Sequence, residues 1–173
     1  VKDTTFSGNQ GVHGNYAGAA GATAFNGSTA GGTVTGGTGL GGVFYTGSRT
    51  RIVDVTDGSS NTLLLSEILV SRDVTGHDFR GRYWNQARSG GVLFSTLFAP
   101  NDLANPDVVG RCQSTAAAPC SQSEHFQNSS ARSGHAGGVN AALADGSVRF
   151  VPNTASGWQA AGTRNGNEVP GEL

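Results

Sequence analysis

The clearest alternation of apolar and polar positions lies in residues 135–150, HAGGVNAALADGSVRF. Asp145 and Gly146 are typical of the two central positions of a type I′ turn, where both residues need a positive φ. A two-residue loop at this point would pair Ala144 with Ser147, Leu143 with Val148, Ala142 with Arg149, and Ala141 with Phe150. Two of these pairs are apolar and share one face, so the pattern predicts a β-hairpin with one buried face.

Shorter apolar segments predict further strands. Residues 49–55 alternate in strand fashion, residues 92–98 form a second candidate, and residues 62–70 (TLLLSEILV) suit a strand buried on both faces, with a short helix as the alternative. Glu67 lies within that last run and needs a partner if buried, either a backbone amide or one of two nearby arginines, Arg49 or Arg51. Residues 156–163 predict a helix of one or two turns that begins at Ser156 and ends near Gly162.

The first 42 residues are rich in glycine and small polar residues. Seven of the twelve residues from Gly31 to Gly42 are glycine, and such a segment has little surface to bury and much conformational entropy to lose. We therefore expect a single domain, residues 1–173, with a Gly-rich loop region at 1–42 and a sheet core with the C-terminal hairpin at 43–173. The expected fold class is mainly β: an antiparallel sheet with short helices and long Gly-rich loops.

Charge and composition exclude several classes of function. The 173 residues carry a formal net charge of −1 with one lysine, Lys2, which argues against binding to nucleic acid. No run approaches the roughly 20 apolar residues of a membrane-spanning helix. The sequence contains no methionine, so we expect it to be the mature part of a longer, processed precursor.

The two cysteines, Cys112 and Cys120, enclose the small-residue segment QSTAAAP. In an exported protein this spacing favours a disulfide, which would stabilise the fold by roughly 2–3 kcal/mol through loop-closure entropy. A metal site is the alternative, but a second pair of ligands at a matching spacing is missing from the sequence.

Four segments occur in an order that resembles one bacterial family. They are NYAGAAG (residues 15–21), VTDGSSNTLLLSE (55–67), the hairpin with its histidine, nine residues and Asp-Gly (135–146), and WQAAGTRNGNEV (158–169). FRGRYWN and LFSTLFAPND fit between them. Together they resemble the prepilin-type, pilin-like or pseudopilin-like family of unknown function that carries a C-terminal His-x9-Asp-Gly motif.

The resemblance implies a globular head that follows a prepilin leader and a hydrophobic N-terminal helix. Members of that family use the helix to pack into filaments or to anchor in the inner membrane, so contact with the membrane would come only through that helix. The expected function is non-enzymatic protein–protein contact in a filament or larger envelope assembly, with an exported location in the envelope, at the cell surface or outside the cell. An extracellular ligand-binding module and an accessory subunit of a complex are the alternatives.

The histidine motif favours a structural role over catalysis. A hydrolase triad needs a serine, a histidine and a carboxylate within mutual reach, whereas Asp145 lies in a tight turn whose side chain would bond backbone amides. We therefore expect His135 to hold the approach to the hairpin by hydrogen bonding, with Gly137 and Gly138 allowing a sharp bend. Asp145 and Gly146 then serve as turn residues.

Calcium is the metal that the sequence accommodates best. The oxygen-bearing residues Asn101, Asp102, Asn105 and Asp107 cluster in one segment, and related pseudopilin heads carry calcium in surface loops. The alternative is turn chemistry, because Asn and Asp are ordinary turn residues. The four histidines lack the spacing of a zinc site, and no other cofactor is expected.

An arginine-rich aromatic segment is the candidate contact surface. Arg80, Arg82, Tyr83 and Trp84 are residue types that dominate protein interfaces and that also stack on sugars. Tyr83 and Trp84 could instead fill a core that otherwise lacks bulk.

Overall fold

The computed structural model describes residues 2–3, 12–26, 41–45, 47–70, 76–83, 91–123, 126–168 and 171–173. Within them the chain is mainly β, as predicted, with one 3-10 turn at Ile52–Asp54 and one short helix, α1, at Trp158–Ala161. The strands are β1 Lys2–Asp3, β2 Val12–His13, β3 Tyr16–Gly21, β4 Phe25–Asn26, β5 Leu63–Glu67, β6 Leu93–Ser95, β7 Asp107–Val109, β8 Cys120–Gln122, β9 Phe126–Gln127, β10 Gly138–Leu143 and β11 Val148–Pro152.

Five of these strands form the main sheet of the described residues, in the order β11-β10-β5-β3-β6. The first three junctions are antiparallel, but β6 lies parallel to β3. The predicted antiparallel sheet is therefore mixed at this edge, because β6 joins the sheet after a long connection from β5 rather than through a hairpin. Three two-stranded ladders, β1-β2, β4-β9 and the parallel pair β7-β8, lie outside the main sheet.

Strand β3 lies inside the segment that was predicted to be a Gly-rich loop. Its sequence YAGAAG lacks large apolar residues, yet Ala17, Ala19 and Ala20 are fully buried between β5 and β6. The loop prediction is wrong here because β3 is a central strand, and small residues leave room for other groups to pack closely on its faces. A Cβ on Gly18 would come within 2.7 Å of the Phe44 ring. Residues 27–40, the most glycine-rich part, lie outside the described residues.

The apolar core lies on one face of the main sheet and is closed by α1. Trp158 stacks on Phe94 with ring centroids 5.9 Å apart, and its indole N–H donates to the carbonyl of Phe98 at 2.9 Å. The predicted helix is confirmed, although it begins after Gly157 and has no side-chain cap, so Ser156 does not cap it. The other buried members of this core are Ala17, Ala19, Leu63, Ile68, Ala131, Val139, Ala141, Leu143, Val151 and Ala161.

The strand predicted over residues 49–55 is wrong. The backbone N–H of Arg51 donates to the Asp54 carboxylate at 2.8 Å, and the two side chains form an ion pair at 2.8 Å. This local pairing closes a 3-10 turn and leaves Ile52 and Val53 exposed. The hydrogen bonds from Arg51 lower the pKa of Asp54 to about 2.

The other two predicted strands are confirmed in shorter form. The apolar run 62–70 contains β5, and residues 92–98 contain β6. A register irregularity between β10 and β5 turns Leu63 into the core and Leu65 to the opposite face. No helix in the described ranges has the length and hydrophobicity that a bilayer crossing requires.

Candidate functional site

The hairpin exists, but its register differs by one residue from the predicted one. Ala141 lies opposite Arg149 and Ala142 lies opposite Val148, so the loop has three residues, from Ala144 to Gly146. Leu143 closes the loop, because its N–H donates to the Ser147 carbonyl and its carbonyl accepts from the Gly146 N–H, both at 2.9 Å. This is a three-residue loop with its glycine at φ +86°, not a type I′ turn.

Asp145 accounts for the longer loop. Its carboxylate accepts the backbone N–H of Ser147 at 2.9 Å and the Ser147 hydroxyl at 2.7 Å. The Ser147 hydroxyl and N–H also lower the pKa of Asp145. Because side chains alternate along a strand, the one-residue shift exchanges the faces of β11. Val148 and Phe150, predicted to be buried, are 69% and 50% exposed.

The shift places apolar side chains along the outer face of the main sheet. Ala142 lies opposite both Val148 and Leu65, and Leu65 lies opposite Gly18, which in turn lies opposite Leu93. Residues directly opposite one another share a face, so these five residues form a continuous line across all five strands, which we call the apolar row. It lies on the face opposite the core.

An apolar groove adjoins the row at the β3-β6 edge. Its cavity volume is about 320 Å³, and none of its lining side chains is charged: Tyr16, Gly18, Phe44, Leu65, Tyr83, Val92 and Leu93. The Tyr83 hydroxyl donates to the Tyr16 carbonyl at 2.6 Å, and its ring lies against Gly14 so closely that a Cβ there would collide with it. The groove therefore has one half-exposed aromatic wall in a fixed orientation.

At the start of the hairpin, His135 contacts the carboxylate of Glu67. Its Nε2 lies 3.3 Å from Oε1 of Glu67 on β5, and its side chain is 57% exposed. Oε2 of Glu67 accepts the backbone N–H of Asn140 on β10 at 2.7 Å. Burial raises the pKa of Glu67, but hydrogen bonds from Asn140 and from the Ser133 hydroxyl outweigh it and bring this pKa below the usual value.

Of the two glycines predicted to form a bend, Gly137 has the backbone of a turn and Gly138 is the first residue of β10. Gly137 has φ +83°, a conformation that favours glycine. A Cβ on Gly138 would collide with the Val151 carbonyl oxygen and come within 2.8 Å of the Phe150 ring. His135 and Asp145 lie beyond opposite ends of β10, so the motif does not bring its two titratable side chains together for catalysis.

The arginine-rich segment is not the surface that was predicted. Arg80 and Arg82 are only 1% and 7% exposed. The Arg82 guanidinium lies 4.8 Å from the centre of the Phe79 ring. Of the four candidate residues Tyr83 alone is placed at the surface, and Trp84 lies outside the described residues. The prediction was wrong for Arg80 because residue type does not reveal that Asp78 and Asp107 pair with it. It was wrong for Arg82 because this residue packs on Phe79 and donates to His13.

Arg80 belongs to a buried ion-pair network of two arginines and two aspartates. It lies 2.7 Å from Asp78 and 2.9 Å from Asp107, and Arg132 lies 3.1 Å from the same Asp107. All four side chains are almost completely buried. The charges balance, and such a network is tolerated in an interior because each ion is paired and hydrogen-bonded.

The residues of the predicted calcium site are engaged in other bonds, one of them in this network. Asp107 is occupied by Arg80, Arg132 and the backbone N–H of Ser130. Asp102 accepts N–H groups of Ala104 and of Asn105, whose side-chain amide also lowers the Asp102 pKa. Asn101 bonds Gly138, Ser133 and Asn153. These oxygens serve turns and ion pairs, and no metal-binding cluster of His, Cys, Asp or Glu occurs among the described residues.

The predicted disulfide between Cys112 and Cys120 is present. It closes the loop that precedes β8. Strand β8 pairs with β7, and Cys120 lies opposite Asp107.

Sequence reasoning missed Asp78, Arg132 and the groove residues Tyr16 and Phe44. Glu67 alone had a usable signal, a carboxylate within an apolar run, and its partners proved to be a backbone amide and His135 rather than Arg49 or Arg51.

A protein-family model with the description "Protein of unknown function (DUF1559)", labelled SBP_bac_10, matches residues 2–156. No curated protein and no solved structure matches the chain.

Proposed function

Because the chain belongs to the family described as Protein of unknown function (DUF1559), we propose a non-enzymatic function for it. It is the globular head of a pilin-like or pseudopilin-like envelope or surface protein. It acts by protein–protein contact in a filament or larger envelope assembly. The disulfide and the resemblance of the four sequence segments support an exported location.

The observation that carries this proposal is the line of apolar side chains, with its adjoining groove, on the outer face of the main sheet. The apolar row continues into the apolar groove, and Val148 and Phe150 project from the edge strand β11 on the same face. An apolar patch of this kind on a small soluble domain is typical of an interaction surface, because covering it removes apolar area from water.

The electrostatics of this face suit a protein partner without a strong charge. Glu67 lies in the position next to the apolar row on β5, and its carboxylate is occupied by Asn140 and His135. Covering the face therefore leaves that carboxylate paired, and an unpaired buried charge is the costliest outcome in an interface. The groove walls have few polar side chains, which favours a protein partner over a carbohydrate, because a carbohydrate site would need more hydrogen-bonding groups.

The test introduces charge on the outer face and follows the assembly. Val148→Glu and Phe150→Glu change exposed side chains, so both variants are expected to fold with the wild-type melting temperature. Arg149→Glu is the matched control, because Arg149 is exposed on the same strand but faces the other way. Each variant replaces the native protein in its source cell, and the envelope assembly is isolated intact.

We expect both outer-face variants to be lost from the isolated assembly and Arg149→Glu to be retained. Retention of all three variants at the wild-type level would contradict a contact through this face. Loss of all three would point to a nonspecific effect of charge on β11 and would contradict it equally. Glycan binding that is lost on Tyr83→Ala would favour the ligand-binding alternative.

A further inference from the structure

Arg80 is held from two sides, by carboxylates and by the loop between the two cysteines. Its Nε–H and one terminal N–H donate to Asp78 at 3.1 and 2.7 Å, and another donates to Asp107 at 2.9 Å. The two remaining donors reach the carbonyl of Ala118 at 3.1 Å and that of Gln113 at 3.0 Å. Both carbonyls belong to residues 113–119, which we call the latch loop.

The latch loop also bonds the other member of the pair. The backbone N–H of Gln113 donates to Asp78 at 3.0 Å, and the neighbouring Arg111 carbonyl accepts the N–H of Phe79 at 3.0 Å. The loop therefore covers the Asp78–Arg80 pair, which is almost completely buried. Residues 114–117 of the loop are themselves partly or fully exposed.

We propose that the Cys112–Cys120 disulfide is a redox-sensitive latch that keeps this loop closed over the buried ion pair. The loop is short and lacks large apolar side chains, so its closed position depends on the cross-link and on polar bonds. These are the bonds to Arg80 and Asp78, the bond from the Gln113 side-chain amide to the Gly76 carbonyl, and the bond from the Asp107 N–H to the Pro119 carbonyl. Without the cross-link the loop gains conformational entropy. Opening also lets water reach two buried charges, and the hydration that they regain offsets part of the lost hydrogen bonding.

The chemistry of release is ordinary thiol–disulfide exchange with a dithiol as reductant. A thiolate of the dithiol attacks the sulfur of Cys120, which is the more exposed cysteine, and the S–S bond breaks with its electron pair leaving on Cys112. The second thiolate of the reductant then attacks the mixed disulfide and displaces Cys120. Cys112 and Cys120 each take up a proton, and the dithiol is oxidised to its own disulfide.

The structure limits the opening to one half of the network. Arg132 bonds Asp107 and the carbonyls of Asp102 and Asn105, which lie outside the latch loop. The apolar core involves neither the cysteines nor Arg80. Reduction is therefore expected to release the latch loop and leave the main sheet folded.

Amide hydrogen exchange of the purified protein, oxidised and after reduction with dithiothreitol, tests the latch. Loss of the cross-link should speed exchange at Gln113, Ala118 and Phe79 by about tenfold to a hundredfold, as loop-closure entropy for so short a loop implies. The amides of Ser130 and Leu143 are internal controls, since they bond Asp107 and the hairpin, and should keep their oxidised-state rates.

The double variant Cys112→Ala/Cys120→Ala separates the latch from other effects of the reductant. It should show fast exchange at Gln113 and Ala118 with or without dithiothreitol. Unchanged rates at the latch loop after complete reduction would overturn the proposal. Equal acceleration at Leu143 would overturn it as well, because the disulfide would then support the whole fold rather than one loop.

Discussion

At Gly138 the hairpin leaves no space for a side chain. The residue begins β10 opposite Pro152, and a Cβ would meet the Val151 carbonyl and the Phe150 ring. The conflict with the carbonyl involves backbone on the partner strand, which moves only if the hairpin itself moves. Sequence reasoning assigned this glycine to a bend, but what requires glycine here is packing against the partner strand β11.

Gly138→Ala should accordingly lower the free energy of unfolding by about 1–3 kcal/mol, the usual cost of overpacking. Gly134→Ala is the matched control, since a Cβ there has no neighbour within 4 Å, and its effect should stay within about 0.5 kcal/mol. Urea denaturation of both variants measures the difference. Equal stability of the two would show that the hairpin adjusts freely at this point.

At the scale of elements, the sequence predicted that the hairpin, β5, β6 and α1 exist, but it did not predict the register of the hairpin. Asp145 and Gly146 correctly indicated a hairpin, but the bonds that Ser147 donates to Asp145 made the loop three residues long and reversed the faces of β11. Strand β3 escaped prediction because its burial depends on neighbouring strands, not on its own hydrophobicity. The turn at Arg51–Asp54 escaped it because one local ion pair overrode the alternating pattern.

The buried ion-pair network was also beyond sequence reasoning, because Asp107, which joins its two arginines, is distant along the chain from both. Arg80 and Asp107 are 27 residues apart, and Asp107 and Arg132 are 25 apart. Asp107 joins the two arginines and caps the N–H of Ser130. It therefore connects β7, the segment before Tyr83 and the segment after β9 into one unit.

Asp107→Asn should consequently destabilise the protein by about 3–5 kcal/mol, because it leaves two buried guanidinium groups short of negative charge. The matched control is Asp54→Asn, which removes the same charge from the exposed Arg51 pair and should leave the free energy of unfolding nearly unchanged. Thermal and urea unfolding of the two variants check this. A small effect of Asp107→Asn would mean that water reaches the network readily.

At the scale of the whole molecule, two kinds of interior stabilise the described part of the chain. One is the apolar core between the main sheet and α1, and the other is the polar interior built around Arg80 and Arg132. Glu67 belongs to neither, yet it joins β5 to β10 and to His135. Its carboxylate is the group through which acid is expected to weaken the hairpin side of the molecule.

The sign of this pH effect follows from the lowered pKa of Glu67. A carboxylate whose pKa is lower in the folded than in the unfolded chain stabilises the fold at pH values above its ordinary pKa of 4.5. That contribution is lost as the pH falls from about this value through the folded-state pKa. Wild-type protein should therefore lose stability over this window faster than Glu67→Gln, as urea denaturation at a series of pH values would measure. Parallel pH profiles would contradict the assignment.

The position of Trp158 makes the two interiors separately observable. The chain has two tryptophans, and Trp158 is buried in the apolar core, stacked on Phe94. In a Trp84→Phe background the fluorescence of Trp158 would report on that core alone. Release of the latch loop would then leave the emission unchanged, whereas loss of the main sheet would shift it to longer wavelength. One intrinsic chromophore thus distinguishes a local opening from global unfolding without any added label.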